Sequence, residues 1–140
     1  MGVRVKIRIK HNDKEIVTSA LVNAGFETRR PRILIPLRLA EELHIYPPKE
    51  GYIKEYQVAG GGRIQLIECG VIKVKLEEED VKKLYVNAVA VVSSGEKEVL
   101  LSDKLIDELG IIILKPGEGL WRHIDDPSER IRRSQKKQEW

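Results

Sequence analysis

The segment Ile16-Val17-Thr18-Ser19-Ala20-Leu21-Val22-Asn23-Ala24-Gly25 carries an apolar run into a small polar residue and a glycine. A buried strand hands over to a chemically active loop in this way. Here the group at the handover is a carboxamide. Asn23 donates and accepts hydrogen bonds, but its amide accepts no proton at neutral pH. Ala24 adds no hydroxyl. Taken alone, the tripeptide is better explained as an ordinary turn, because Asn and Gly both tolerate left-handed backbone. The other reactive side chains are scattered. His11, His44 and His123 have no metal-ligand spacing to Cys or acids, so no metal site is expected. No Ser, His and acid combination has a nucleophile-elbow context. Gly60-Gly61-Gly62 is not followed by Lys-Ser or Lys-Thr, which argues against a phosphate loop. The single cysteine, Cys69, lies in an alternating apolar segment and reads as a buried, inert thiol. No cofactor is expected.

The elements that must position these residues are mostly strands. Val3, Val5, Ile7 and Ile9 alternate with Arg4, Lys6, Arg8 and Lys10, the pattern of a half-buried strand. Turn residues His11 to Lys14 return it as a hairpin through Glu15 to Val22. Ile33 to Ile35 is a short strand, and Pro36 suits the first turn of a short helix. Strands follow at 52–58, 63–77 and 81–92, the first two joined by the glycine triplet. Glu77 to Asp80 reads as a solvated acidic turn. A short strand at 99–101 leads into a helix from Asp103 to Leu109, with Ser102 as N-cap and Gly110 as C-cap. Ile111 to Leu114 is a further core strand. Asp126-Pro127-Ser128-Glu129 resembles a helix start, so 122–140 is expected to be a charged helix or a frayed tail.

The 140 residues suffice for one domain with a core. With 41% hydrophobic and 34% charged residues, the chain reads as soluble and globular. Lys and Arg number 25 against 22 Asp and Glu, a net charge of +3 that does not by itself require a nucleic-acid partner. No apolar run reaches the roughly 20 residues of a membrane span. The polar–apolar alternation of the first residues is unlike a signal peptide, so the cytoplasm is the expected compartment.

Three segments now fall into order: the hairpin leading into ALVNAG, the glycine-rich YQVAGGGRIQL, and VLLSDKLIDELGIIIL. Together they resemble the retropepsin-like aspartic protease family of retroviral proteases and their cellular and archaeal relatives. The resemblance covers residues 3–121, leaving 122–140 as a separate tail. It implies a mainly β, closed or partly closed acid-protease barrel with one or two short helices. It also implies a homodimer, each chain supplying half of a cleft on a two-fold axis. Asn23 falls on the family's catalytic Asp, Ala24 on its Thr or Ser, and Gly25 on its Gly. Gly60, Gly61 and Gly62 fall on the tip of the flap over the substrate. Ser102, Asp103 and Lys104 fall on the motif Gly-Arg-Asp/Asn.

The departures define the functional expectation. Family chemistry needs two carboxylates sharing one proton, and Asn23 supplies none. Asp103 replaces the arginine that pairs with an acid near the loop, so Glu27 loses that partner unless Lys104 or Arg29 substitutes. The expectation is an inactive peptidase homologue that binds an extended peptide or protein segment at a dimer cleft, with Glu27 and the glycine triplet among its contacts. The alternative is an endopeptidase with unusual or residual activity, for which Glu27 and Asp103 are the nearest carboxylates. A basic nucleic-acid-binding module is the less favoured partner class, given 5% aromatic residues and interspersed acids.

Overall fold

The computed structural model describes residues 2–48, 53–57, 63–82 and 84–140, with 53–57 and 63–65 as backbone alone. The glycine triplet 60–62, and with it the expected flap tip, lies outside the described residues.

Strands β1 (Arg4–His11) and β2 (Lys14–Val22) form an antiparallel hairpin, turned at Asn12 with a φ of 54°. β1 turns Val5, Ile7 and Ile9 into the core, each fully buried, and its cationic residues outward. Next come β3 (Arg32–Pro36), helix α1 (Leu37–Glu42), β4 (Ile53–Gln57), β5 (Arg63–Leu76) and β6 (Val86–Ser93). Then follow β7 (Val99–Leu101), helix α2 (Asp103–Glu108) and β8 (Ile111–Lys115). β9 (Leu120–His123) and β10 (Arg132–Arg133) complete the order.

Neighbouring strands run β1-β2-β7-β3-β6-β5, and β5 pairs back onto β1. The result is a closed, six-stranded, mainly β barrel with two short helices, and β4 extends the sheet beyond β5. Closure removes the exposed edges that an open sheet would present. Two of the contacts are parallel, β2 with β7 and β3 with β6. β5 serves three partners along its 14 residues, β4 at its start, β1 at its end and β6 through its middle, and its register against β6 shifts between Glu68 and Val71. Gly70 makes that bulge with φ of 94°, a backbone region that disfavours any side chain.

The core alternates across β3 and β6. Ile33, Ile35, Ala90 and Val92 face the barrel interior. Leu34 and Val91 face outward, yet are buried in a second apolar cluster with Leu66, Phe26 and Leu100. This explains the unbroken apolar runs, since both faces of these strands are covered.

Several sequence-based boundaries shift. β6 begins at Val86 rather than Val81, and Pro36 occupies the N-cap of α1. The acidic turn is not simply solvated: Glu77 pairs with Arg8 at 2.9 Å, and Asp80 with Arg130 and Arg132 at 2.8 and 2.9 Å. Asp126-Pro127-Ser128-Glu129 caps no helix. It turns the chain so that β10 pairs with β9 in a three-stranded sheet with β8. Residues beyond β10 form no regular element but are docked. Gln135 N–H donates to the Arg4 carbonyl at 2.9 Å, Gln138 N–H to Ser19 Oγ at 3.0 Å, and the Trp140 indole to Thr18 Oγ1 at 3.1 Å. Thr18 and Ser19 are buried hydroxyls that need partners, and the tail provides them.

Candidate functional site

Parallel pairing of β2 and β7 sets Val22 opposite Leu101. The loops that follow these two strands therefore emerge side by side. The first is Asn23-Ala24-Gly25. Asn23 is half-buried, while Ala24 and Gly25 are exposed. The Asn23 carboxamide oxygen accepts the Gly25 N–H at 3.2 Å, and the Asn23 carbonyl accepts the Phe26 N–H at 3.0 Å. These bonds form a compact Asx turn.

Two devices fix the turn. Phe26 packs into the outer apolar cluster beside Leu34 and Leu100. Its carbonyl also accepts the Asp103 N–H at 3.0 Å, joining the loop to the start of α2. Asp103 reciprocates: its Oδ1 accepts Thr28 N–H at 3.0 Å and its own neighbour's N–H, from Lys104, at 2.7 Å. At the position where the resemblance expects arginine, the carboxylate thus holds the loop through the Thr28 backbone amide. Asp103 is a structural clamp here, with Oδ1 committed to two donors. Glu27 is exposed and makes no ion pair with Lys104 or Arg29 among the described residues.

Ser102, fully buried, locks β3 to α2. Its hydroxyl accepts the Arg32 N–H at 3.0 Å and the Leu105 N–H at 3.3 Å, while its own N–H donates to the Arg32 carbonyl at 3.1 Å. The second acceptance is the N-cap that the sequence predicts. Ser102→Ala leaves two amides without their acceptor and is expected to cost about 2 kcal/mol. Urea denaturation checks this through a lowered midpoint at an unchanged slope.

The site as built displays hydrogen-bonding groups and no carboxylate at its tip. Among the described residues, no three His, Cys, Asp or Glu side chains form a metal-binding group. The Cys69 thiol is half-buried, donates to the Ile67 carbonyl at 3.5 Å, and has its pKa pushed up by burial, which disfavours the reactive thiolate. Arg32 of β3 and Glu68 of β5, which sits opposite Val91 of the outer apolar cluster, form a mostly buried ion pair.

A second polar cluster has no clear signature in the sequence. Arg132 sits over the Trp121 ring at 5.4 Å and clasps Asp126 through both arms, Nε to Oδ2 at 2.7 Å and Nη2 to Oδ1 at 2.9 Å. Asp126 Oδ2 also accepts the His123 N–H at 2.9 Å. In sequence these residues look like one more stretch of solvated tail charge. An Asp-Pro turn ahead of an arginine was the one available signal. No helix among the described residues is long and apolar enough to cross a membrane. The chain matches no protein-family profile and no curated protein sequence.

Proposed function

We propose that this protein is a retropepsin-like aspartic peptidase homologue without catalytic carboxylates. In this reading it dimerises about the Asn23 loop and holds an extended peptide or protein segment beneath the β4–β5 hairpin. The observation that carries the reading is the Asn23-Ala24-Gly25 turn. It lies beside the start of α2 on a closed barrel, is tied there by Asp103 and Phe26, and is tipped by an amide. An extended segment in such a cleft gains main-chain hydrogen bonds in the manner of an added strand.

Asn23 also gives the dimer a physical advantage. Two carboxylates about 3 Å apart repel unless one is protonated, whereas two carboxamides donate and accept across an axis without charge. Self-association measured by analytical ultracentrifugation is therefore expected to be insensitive to pH from 4 to 7. In Asn23→Asp it is expected to weaken about tenfold as pH rises across that range, a change of about 1.4 kcal/mol. A monomer at every accessible concentration would overturn the dimer, and a pH-independent variant would overturn the meeting of the two side chains.

One observation favours a nucleic-acid reading. Lys10, Lys73 and Lys75 share one outer face of β1 and β5, and Lys10 and Lys75 lie 5.9 and 4.7 Å from the Tyr85 ring. Binding of a single-stranded oligonucleotide that falls steeply with salt is the result that would select it.

A further inference from the structure

The Asn23 loop is tied to the first residue of α2. At the other end of that helix lies a cleft of about 350 Å³, open between Val81 and Leu84 on one side and the α2 terminus and the turn after β9 on the other. Its volume is that of a site for one small group rather than a long chain. Buried Leu76, Val81 and Leu109 form an apolar base. Leu84 and Ile124, 61% and 62% exposed, stand at its mouth. Isolated exposed aliphatic residues are ordinary, but two lining one concave surface are less so.

His123 supplies the specific chemistry. Its side chain is only 10% exposed, and Nδ1 accepts the Asp125 N–H at 3.2 Å. A neutral ring that accepts at Nδ1 carries its proton at Nε2. That Nε2–H has no acceptor among the described residues, although the ring lines the cleft. Gly110 keeps the wall beside it open. A Cβ there would come within 2.7 Å of Nε2, and the φ of 72° already disfavours a side chain. Asp107, Glu108 and Asp125 line the cleft against one described cation, Lys82. The combination is an apolar slot with an imidazole donor on its wall and a negative rim.

We propose that this cleft takes an arginine or lysine side chain of a partner peptide. The aliphatic stem lies along Leu84 and Ile124, the cation meets Asp107 and Glu108, and a peptide carbonyl accepts the His123 Nε2–H. Long cationic side chains are suited to this because their stems are apolar and their heads charged. An anionic ligand would face three carboxylates, and a purely apolar one would leave the imidazole donor unmet. The proposal stands apart from the Asn23 reading, because neither its residues nor its test involves that loop.

The test is an NMR titration with three capped amino acids: N-acetylarginine, N-acetylnorleucine and N-acetylglutamate, each as its N-methylamide. The arginine compound is expected to shift the His123 ring and the Leu84 and Ile124 methyls, saturating in the millimolar range. The norleucine compound is expected to bind about tenfold more weakly and the glutamate compound not at all. Asp107→Asn with Glu108→Gln, both exposed positions that leave the core intact, should weaken the arginine compound about fivefold by removing two charge contacts. The same variant should leave the norleucine compound unchanged. No shift with the arginine compound, equal binding of the glutamate compound, or an unaffected double variant overturns the proposal. Shifts that follow protein rather than probe concentration also overturn it, because a second copy would then be the occupant.

Discussion

Arg132→Ala is expected to destabilise the protein by about 3 kcal/mol, the lower end of what breaking a buried ion pair costs. The side chains of Arg132 and Asp126 are 7% and 8% exposed, so the alanine variant strands a nearly buried carboxylate. Two considerations keep the loss from the upper end. Asp126 retains the His123 N–H, and Asp80, half-exposed, is reached by water and still paired with Arg130. The pair also sets the acid response. The Arg132 hydrogen bonds, helped by the His123 amide, hold the Asp126 carboxyl well below the usual carboxylate range, against an opposing desolvation. Asp80 is lowered by the same guanidinium and by Arg130. A group depressed in the folded state contributes stability above its unfolded pKa, about 3.9 for Asp, and loses it as pH falls through the folded value. Stability should therefore hold from neutrality to about pH 5 and fall below about pH 4. Glu78, pushed up by burial, acts in the opposite sense and shallows the limb. Urea midpoints at pH 7 and pH 3 measure both effects. Asp126→Asn, which keeps an acceptor for the His123 amide, should lose less at pH 7 and show a flatter acid limb. An Arg132→Ala protein as stable as the parent at pH 7 would refute the account.

What the sequence made legible follows from where local pattern and tertiary packing agree. The alternation of β1 places one side chain in two against the core, and the barrel honours it residue by residue, with Val5, Ile7 and Ile9 inside. Ser102 and Gly110 bracket α2 as their chemistry requires, one accepting the Leu105 amide and the other turning with positive φ. The closed mainly β barrel follows from many such short strands. Legibility fails where partners are distant. Asp126-Pro127 satisfies the local rule for a helix start. Yet Arg132 six residues on finds Asp126 across the turn, and β10 finds Trp121 in β9. A strand pairing then wins over a helix of charged residues with no apolar face to bury. Likewise Thr18 and Ser19 read as ordinary members of a strand, and nothing local reveals that Gln138 and Trp140, more than a hundred residues away, dock against them. In the candidate site the loop is visible in the sequence, whereas the clamp is not. In sequence Asp103 looks like a lost arginine, and only the fold shows its carboxylate accepting the Thr28 amide.

That clamp bears on the largest expected change of activity. Asn23→Asp combined with Ala24→Thr is expected to create cleavage of unfolded protein at acidic pH, at least about 100-fold above the parent, the lower end of what general acid–base catalysis contributes. The scaffold accepts both changes. The Asx turn needs only a side-chain oxygen for the Gly25 N–H, which an aspartate provides as well as Asn23 does. Ala24 is exposed, so a threonine meets no core packing. In the Asn23→Asp variant, the two introduced carboxyl groups meeting across a dimer axis would share one proton, so that one is a base toward water while the other is an acid toward the leaving amine. Sharing requires that a single proton remain on the pair, which places activity in the acidic range and removes it near neutrality. The single variant Asn23→Asp should be weaker than the double one, because in the proposed dimer the alanine beside it would give the two loops no hydroxyl to bridge them. Asp103 sets the ceiling: it holds Thr28 through Oδ1 and brings negative charge to the loop, where the resemblance expects a positive arginine. Hydrolysis of denatured casein at pH 4.5 and pH 7, followed by peptide release, measures the effect. Equal cleavage by the parent would mean that a carboxylate other than position 23 does the work. A dimeric double variant that cuts nothing at either pH would mean that the two loops do not meet in a productive geometry.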